Sequence, residues 1–210
     1  MRYIKLLGGL FLIVLVVLMI SAPITHADTY STFQTTRYYS ANHRYFIKVD
    51  PSKRATLYRK EGRVARRIWS RNLPELPGKL LVANSGKHTV SIDCYYGNGN
   101  DPNKPVVLVF DDTGSEIARY LLKDVAVLPR LTMTTSTAYW YESAKFTPDD
   151  RLIVVNTVIA KYDRAKCGNI NSPEEADKMW ENCMATTPYE QLLFIAVTGK
   201  LASRVRIAAK

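Results

Sequence analysis

"FTPDDRLIVVN" (residues 146–156) reads as a polar turn, then a basic residue, then an alternating strand. Two other stretches follow the same plan, "SANHRYFIKVD" (40–50) and "NSGKHTVSID" (84–93). The basic residue is Arg44, Lys87 or Arg151. Period-two alternation marks a half-buried strand. It places Tyr45, Ile47 and Val49, then His88, Val90 and Ile92, then Leu152 and Val154 in the inward slots. Self-similarity of this kind is the signature of repeat architecture.

A second unit follows each stretch. "ATLYRKEGRVARRIW" (55–69), "VVLVFDDTGSEIARYL" (106–121) and "LLFIAVTGKLASRVRI" (192–207) each read as strand, glycine turn, strand. Gly62, Gly114 and Gly199 supply the positive φ that hairpin turns need. Candidate strands precede each copy in "TTRYYS", "GKLLVAN" and "STAYWYE". The repeating unit is therefore four antiparallel strands, which is the blade of a β-propeller.

The turn-plus-strand of "FTPDDRLIVV" resembles the Ser/Thr-Pro-Asp-Gly blades of bacterial extracytoplasmic β-propeller repeat proteins. Asp150 stands where that motif has glycine, and only the third copy keeps the proline. The resemblance covers most of residues 36–207 and implies fold, not activity. The expected fold is all-β: three propeller-blade-like repeats, at about 36–71, 78–122 and 136–207. Closed propellers have four blades or more. An open arc or closure by self-association is therefore expected, with a compact β-domain of another design as the competing architecture.

The copies differ in one connection. From the basic residue to the hairpin glycine there are 18 positions in the first copy, 27 in the second and 48 in the third. The excess falls between the second and third strands of the unit. In the third copy it forms an insertion, 161–188, containing "CGNINSPEEADKMWENC" (167–183). Ser172 as cap, Pro173 in the first turn and Glu175 closing a capping box predict a short helix there. A Cys167–Cys183 disulfide would pin it. Metal is the rival, but two thiolates need further ligands and no histidine lies nearby. Cys94 is left over as a buried thiol, though pairing with Cys167 or Cys183 stays open because sequence does not fix connectivity.

Residues 1–27 read as a secretory signal peptide. Arg2 and Lys5 precede an apolar run from Leu6 to Ile20, and Thr25-His26-Ala27 suits cleavage. The competing reading is an uncleaved membrane anchor over residues 6–22. Residues 28–210 then form a single exported β-repeat domain, periplasmic or secreted. They carry 27 Lys and Arg against 19 Asp and Glu.

Signals for catalysis are thin. Ser91, His88 and Asp93 could spell a triad, but alternation puts His88 on the opposite face from the other two. His43 reads as an exposed turn residue and His88 as packing. "FDDTG" and "PDD" are acidic turns without calcium-loop spacing. No phosphate loop, dinucleotide fingerprint or zinc pattern occurs, so no cofactor or metal is expected.

Charge is the stronger signal. Residues 48–71 hold nine basic side chains against Asp50 and Glu61. Such a patch suits an anionic surface, a lipid headgroup or a polysaccharide. Blunting of an exposed sheet edge explains it equally well. Export makes nucleic acid an improbable partner. The candidate binding residues are Arg59, Lys60, Arg63, Arg67 and Arg71, with Tyr95, Tyr96 and Trp180 as aromatic anchors on the inserted-loop rim. By the copy alignment, Val64 and Ile68 are expected inward, Arg63 and Arg67 outward, and Arg66 on the buried side in need of a partner. The leading functional expectation is an exported, non-catalytic binding module of the cell envelope, meeting an envelope protein or an anionic surface. The alternative is a hydrolase with carboxylates on the inserted-loop rim.

Overall fold

The computed structural model describes residues 31–95, 101–126, 132–133, 138–158 and 189–207. Residues 1–27, expected as a signal peptide, Tyr96, and the insertion with Cys167, Trp180 and Cys183 lie outside these residues.

The chain is an open, propeller-like all-β fold of three four-stranded antiparallel sheets, none of them closed. The first blade is β1 (Thr36–Tyr39), β2 (Tyr45–Val49), β3 (Arg54–Glu61) and β4 (Val64–Asn72), in that order. The second is β5 (Pro77–Val82), β6 (Thr89–Cys94), β7 (Pro105–Phe110) and β8 (Glu116–Leu121). A single helical turn, α1 (Leu122–Val125), follows it. A two-stranded ribbon, β9 (Thr132–Met133) with β10 (Ala138–Tyr139), precedes the third blade. That blade is β11 (Tyr141–Phe146), β12 (Leu152–Val158), β13 (Tyr189–Ile195) and β14 (Leu201–Ile207). Its first strand thus starts later than "STAYWYE" predicts, because Ala138 and Tyr139 pair with the ribbon instead.

The blades stack face to face through two dry cores. Ile47, Val49, Ala55, Leu57 and Trp69 of the first blade meet Leu80, Val82, Leu108 and Phe110 of the second. Val90, Ile92, Val107 and Val109 on the second blade's other face meet Ile153, Val155, Leu192 and Phe194 of the third. A blade covered on both faces needs a continuous apolar run. "PVVLVF" in β7 is such a run, buried from Val106 to Phe110. In the third blade the core takes Ile153 and Val155, whereas the expected slots Leu152 and Val154 belong to the opposite face. Alternation identifies two faces but does not say which neighbour covers each.

Three turns tie the blades along one rim. The β1–β2, β5–β6 and β11–β12 turns close identically, with His43, Gly86 and Asp150 donating their N–H to Ser40, Ala83 and Thr147 carbonyls. All three donors have positive φ. The Asn42 N–H donates to Asn84 Oδ1 at 2.8 Å, and Asn42 Nδ2 donates to the Asn84 carbonyl at 3.0 Å. The N–H groups of Asn84 and Ser85 donate to the two oxygens of Asp150, at 3.0 and 2.6 Å. The residue that departs from the usual glycine is therefore the clamp between the second and third blades.

The outer hairpins correct one expectation. Gly62, Gly114 and Gly199 do adopt positive φ. However, the β3–β4 register shifts: Leu57 pairs with Trp69, but Tyr58 pairs with Arg67, leaving Ile68 as a bulge. An extra residue reverses the facing of everything beyond it. Val64 and Ile68 are accordingly 68% and 44% exposed, not inward, and Arg66 is exposed and not buried. The second and third blades carry their shifts nearer the turn, at Val109/Phe110 and Leu193/Phe194.

Candidate functional site

Two surfaces carry polar chemistry. The first is a crevice of about 610 Å³ between the second and third blades, on the rim of the tied turns. His88, Asp149, Asp150, Lys87, Arg151 and Ile195 line it. A histidine and carboxylates thus share a cleft, which spacing alone did not indicate. Their bonding is structural, however. Asp150 is taken up by two backbone N–H groups. Asp149 Oδ1 accepts from the Thr147 hydroxyl at 2.6 Å and the Arg151 N–H at 3.2 Å, and these bonds hold its carboxyl below the usual range. Burial is the main force on His88 and pushes its imidazole pKa down, against the pull of Asp112, Asp111 and Asp150. Its Nδ1 is buried without a hydrogen-bond partner. No described carboxylate therefore orients this ring, and orientation is what a general base needs.

On the opposite rim, described carboxylates are also spent on turns. Asp50 Oδ1 accepts from the Ser52 hydroxyl at 2.6 Å and from two backbone N–H groups, which lower its pKa. Asp101 Oδ1 accepts the Asn103 N–H, and Asp124 Oδ2 the Leu121 N–H. Glu75 pairs with Lys53 at 3.2 Å. Tyr95, expected as an anchor, is half-buried there: its ring meets Phe33 edge-on at 4.8 Å and its hydroxyl lies 2.8 Å from Ser31 Oγ. Among the described residues, no group of three His, Cys, Asp or Glu could hold a metal ion. Cys94 is a free, buried thiol whose Sγ lies 3.7 Å from the Pro105 carbonyl.

The second surface is the basic hairpin β3–β4. Arg59, Lys60, Arg63, Arg66, Arg67 and Arg71 are all exposed. Cross-strand partners share a face. Arg59 pairs with Arg66 and Ala55 with Arg71, so these arginines sit on the side of the second blade. Tyr58 pairs with Arg67 and Lys60 with Ala65, so Lys60 and Arg67 occupy the free side. Arg63 lies in the turn. The five expected residues therefore divide between two faces. On the second-blade side, Arg59, Glu61 and Arg66 border a crevice of about 380 Å³ with Tyr45 and Asp112, and Arg67, beside the bulge, lines it as well. Arg71 Nε reaches the Thr113 carbonyl at 3.4 Å.

Taken together, fold and surface define an open three-bladed propeller-like chain with a strongly basic terminal blade. No family model and no curated protein matches the sequence. Similar solved structures include a candidate 6-phosphogluconolactonase of Bacteroides fragilis, at 9% identity and TM-score 0.41 over 83% of this chain and 39% of that one. Another is the C-terminal WD40 domain of Sif2, at 10% identity and TM-score 0.36 over 88% of this chain and 42% of that one. A candidate 6-phosphogluconolactonase of Bacteroides uniformis has 12% identity and TM-score 0.35, covering 90% of this chain and 62% of that one. This chain spans less than two thirds of each, and the likeness is one of fold. No helix among the described residues is long and apolar enough to cross a membrane.

Proposed function

We propose that the protein is an exported, non-catalytic binding module whose basic first blade engages an anionic partner at the cell envelope. The observation that carries this reading is the state of the hairpin charges. Among the described residues, Arg59 alone of the six has a carboxylate at ion-pair distance, Glu61 at 3.8 Å. The rest stand exposed without one, so their field is available to a partner. Edge protection alone would ask for a charge or two, not this density. The engagement of the rim carboxylates in turns supports binding over hydrolysis. The apolar run at residues 6–20 supports export.

The test is retention of the chain on dextran sulfate and on phosphatidylglycerol vesicles. Wild type should be retained and added salt should release it. Arg63→Gln with Arg67→Gln should elute at lower salt. Equal elution of wild type and variant from both supports would leave the hairpin with edge protection only.

A further inference from the structure

The free face of the first blade is unlike any face that meets another blade. Register places Tyr39, Phe46, Tyr58 and Arg67 in one row across all four strands. Phe46 and Tyr58 stack at 5.0 Å with an interplanar angle of 13°, and Tyr39 tilts onto Phe46 at 5.5 Å. The Arg37 guanidinium sits 5.7 Å from the Phe46 ring centre, in cation–π range. Arg37, Lys48, Arg54, Lys60 and Arg67 are exposed on this face, and its strand positions hold no Asp or Glu. The two faces buried between blades mix aliphatic and aromatic side chains, with no lysine or arginine in either core.

We propose that this face binds an anionic polysaccharide along the Tyr39–Phe46–Tyr58–Arg67 row. The proposal names the partner class for the basic surface above and rests on that reading. Strands stand about 4.8 Å apart, so the row runs about 14 Å, the length of a short run of sugar rings. The five cations suit the repeated acid groups of a polyanion. The Tyr39 and Tyr58 hydroxyls have no hydrogen bond among the described residues, which leaves them for a polyhydroxylated ligand. Single-stranded nucleic acid binds by stacking bases on open ring faces. Here Phe46 and Tyr58 spend faces on each other. A bilayer surface would be met by exposed aliphatic side chains, but Val64 shares the second-blade side with Arg66 and Ile68 borders the crevice there. A second copy presenting the same face would set cation against cation.

The test is affinity electrophoresis of the full chain through gels containing alginate, a polyuronate, or neutral dextran. Alginate should retard the chain and dextran should not. Lys48→Gln with Lys60→Gln should weaken retardation about tenfold, as loss of two screened charge contacts implies. Tyr58→Phe keeps the stacked ring, so it should keep the melting temperature while weakening binding several-fold. Arg59→Gln with Arg66→Gln, on the other side, should weaken it less, through the general field alone. If that second pair abolishes retardation and the first does not, the free-face site is overturned while anionic binding stands. Binding to phosphatidylglycerol vesicles or oligothymidylate without alginate overturns the ligand class. A dimer that Lys48→Gln and Lys60→Gln dissociate assigns the face to a second copy, which also overturns it. No retention on any anion overturns both readings.

Discussion

Asp150 holds the N–H of Ser85 at 2.6 Å across the junction of the second and third blades, and its other oxygen holds the N–H of Asn84. Each bond is charge-assisted, and removing the carboxylate orphans two backbone donors. Asp150→Ala should cost about 2–4 kcal/mol by those magnitudes, read as a lower denaturant midpoint. Asp149→Ala loses bonds only within its own exposed turn and should cost about 1 kcal/mol or less. Equal losses would show that the junction is not clamped there.

The three hairpin glycines share a conformation but not surroundings. A side chain at Gly62 would meet nothing within 4 Å, because no described blade packs against that turn. At Gly114 a Cβ would come within 2.9 Å of Trp69 and Arg71, and at Gly199 it would overlap Ala118 of the second blade. Gly62→Ala should therefore carry only the left-handed backbone penalty, about 1–2 kcal/mol. Gly199→Ala should add overpacking of about 1–3 kcal/mol and lower the melting temperature further. The reverse order would argue against the third blade's turn seating on the second.

The strand–turn–strand rhythm was readable because its determinants are local. Gly62, Gly114 and Gly199 need only their own φ, and Ile47, Val90 and their neighbours declare a pleat by alternation. The bulge at Ile68 was not readable, since a β-bulge is settled by what both strands pack against. Nor did periodicity say that Val154 and Val155 serve different faces of one blade. The row from Tyr39 to Arg67 is not legible in sequence because its members lie on four strands and meet only through register. Alignment of the copies emphasises the turns and the density of arginine in one hairpin. It gathers Arg59 and Lys60 into one patch that the structure divides.

Val64 and Ile68 supply a direct check of the shifted register. Exposed positions away from special features tolerate substitution within about 0.5 kcal/mol. Val64→Thr and Ile68→Thr should stay in that range in chemical denaturation. Leu57→Ala, fully buried beside Trp69, should cost about 2–5 kcal/mol. A loss of 2 kcal/mol or more at Ile68 would restore the unbulged alignment.

Cys94 is 8% exposed, and burial is the main reason its thiol pKa rises to about 11 from an ordinary value near 9. The folded state therefore keeps a proton that the unfolded chain releases first. Its contribution to stability is complete below pH 9 and is lost as pH rises from 9 through 11. Two units correspond to about 2–3 kcal/mol. Cys94→Ala should flatten the fall in stability over that window relative to wild type. Part of the fall will remain, because Tyr141 is also raised, to about 12, chiefly by burial. In the native protein at pH 8, iodoacetamide should leave Cys94 unmodified, since the reactive species is the thiolate. After denaturation without reductant, the proposed exported state with a Cys167–Cys183 bond should yield one titratable thiol, located by peptide mapping at Cys94. Three thiols would remove the disulfide from the proposal, and a blocked Cys94 would reassign its partner.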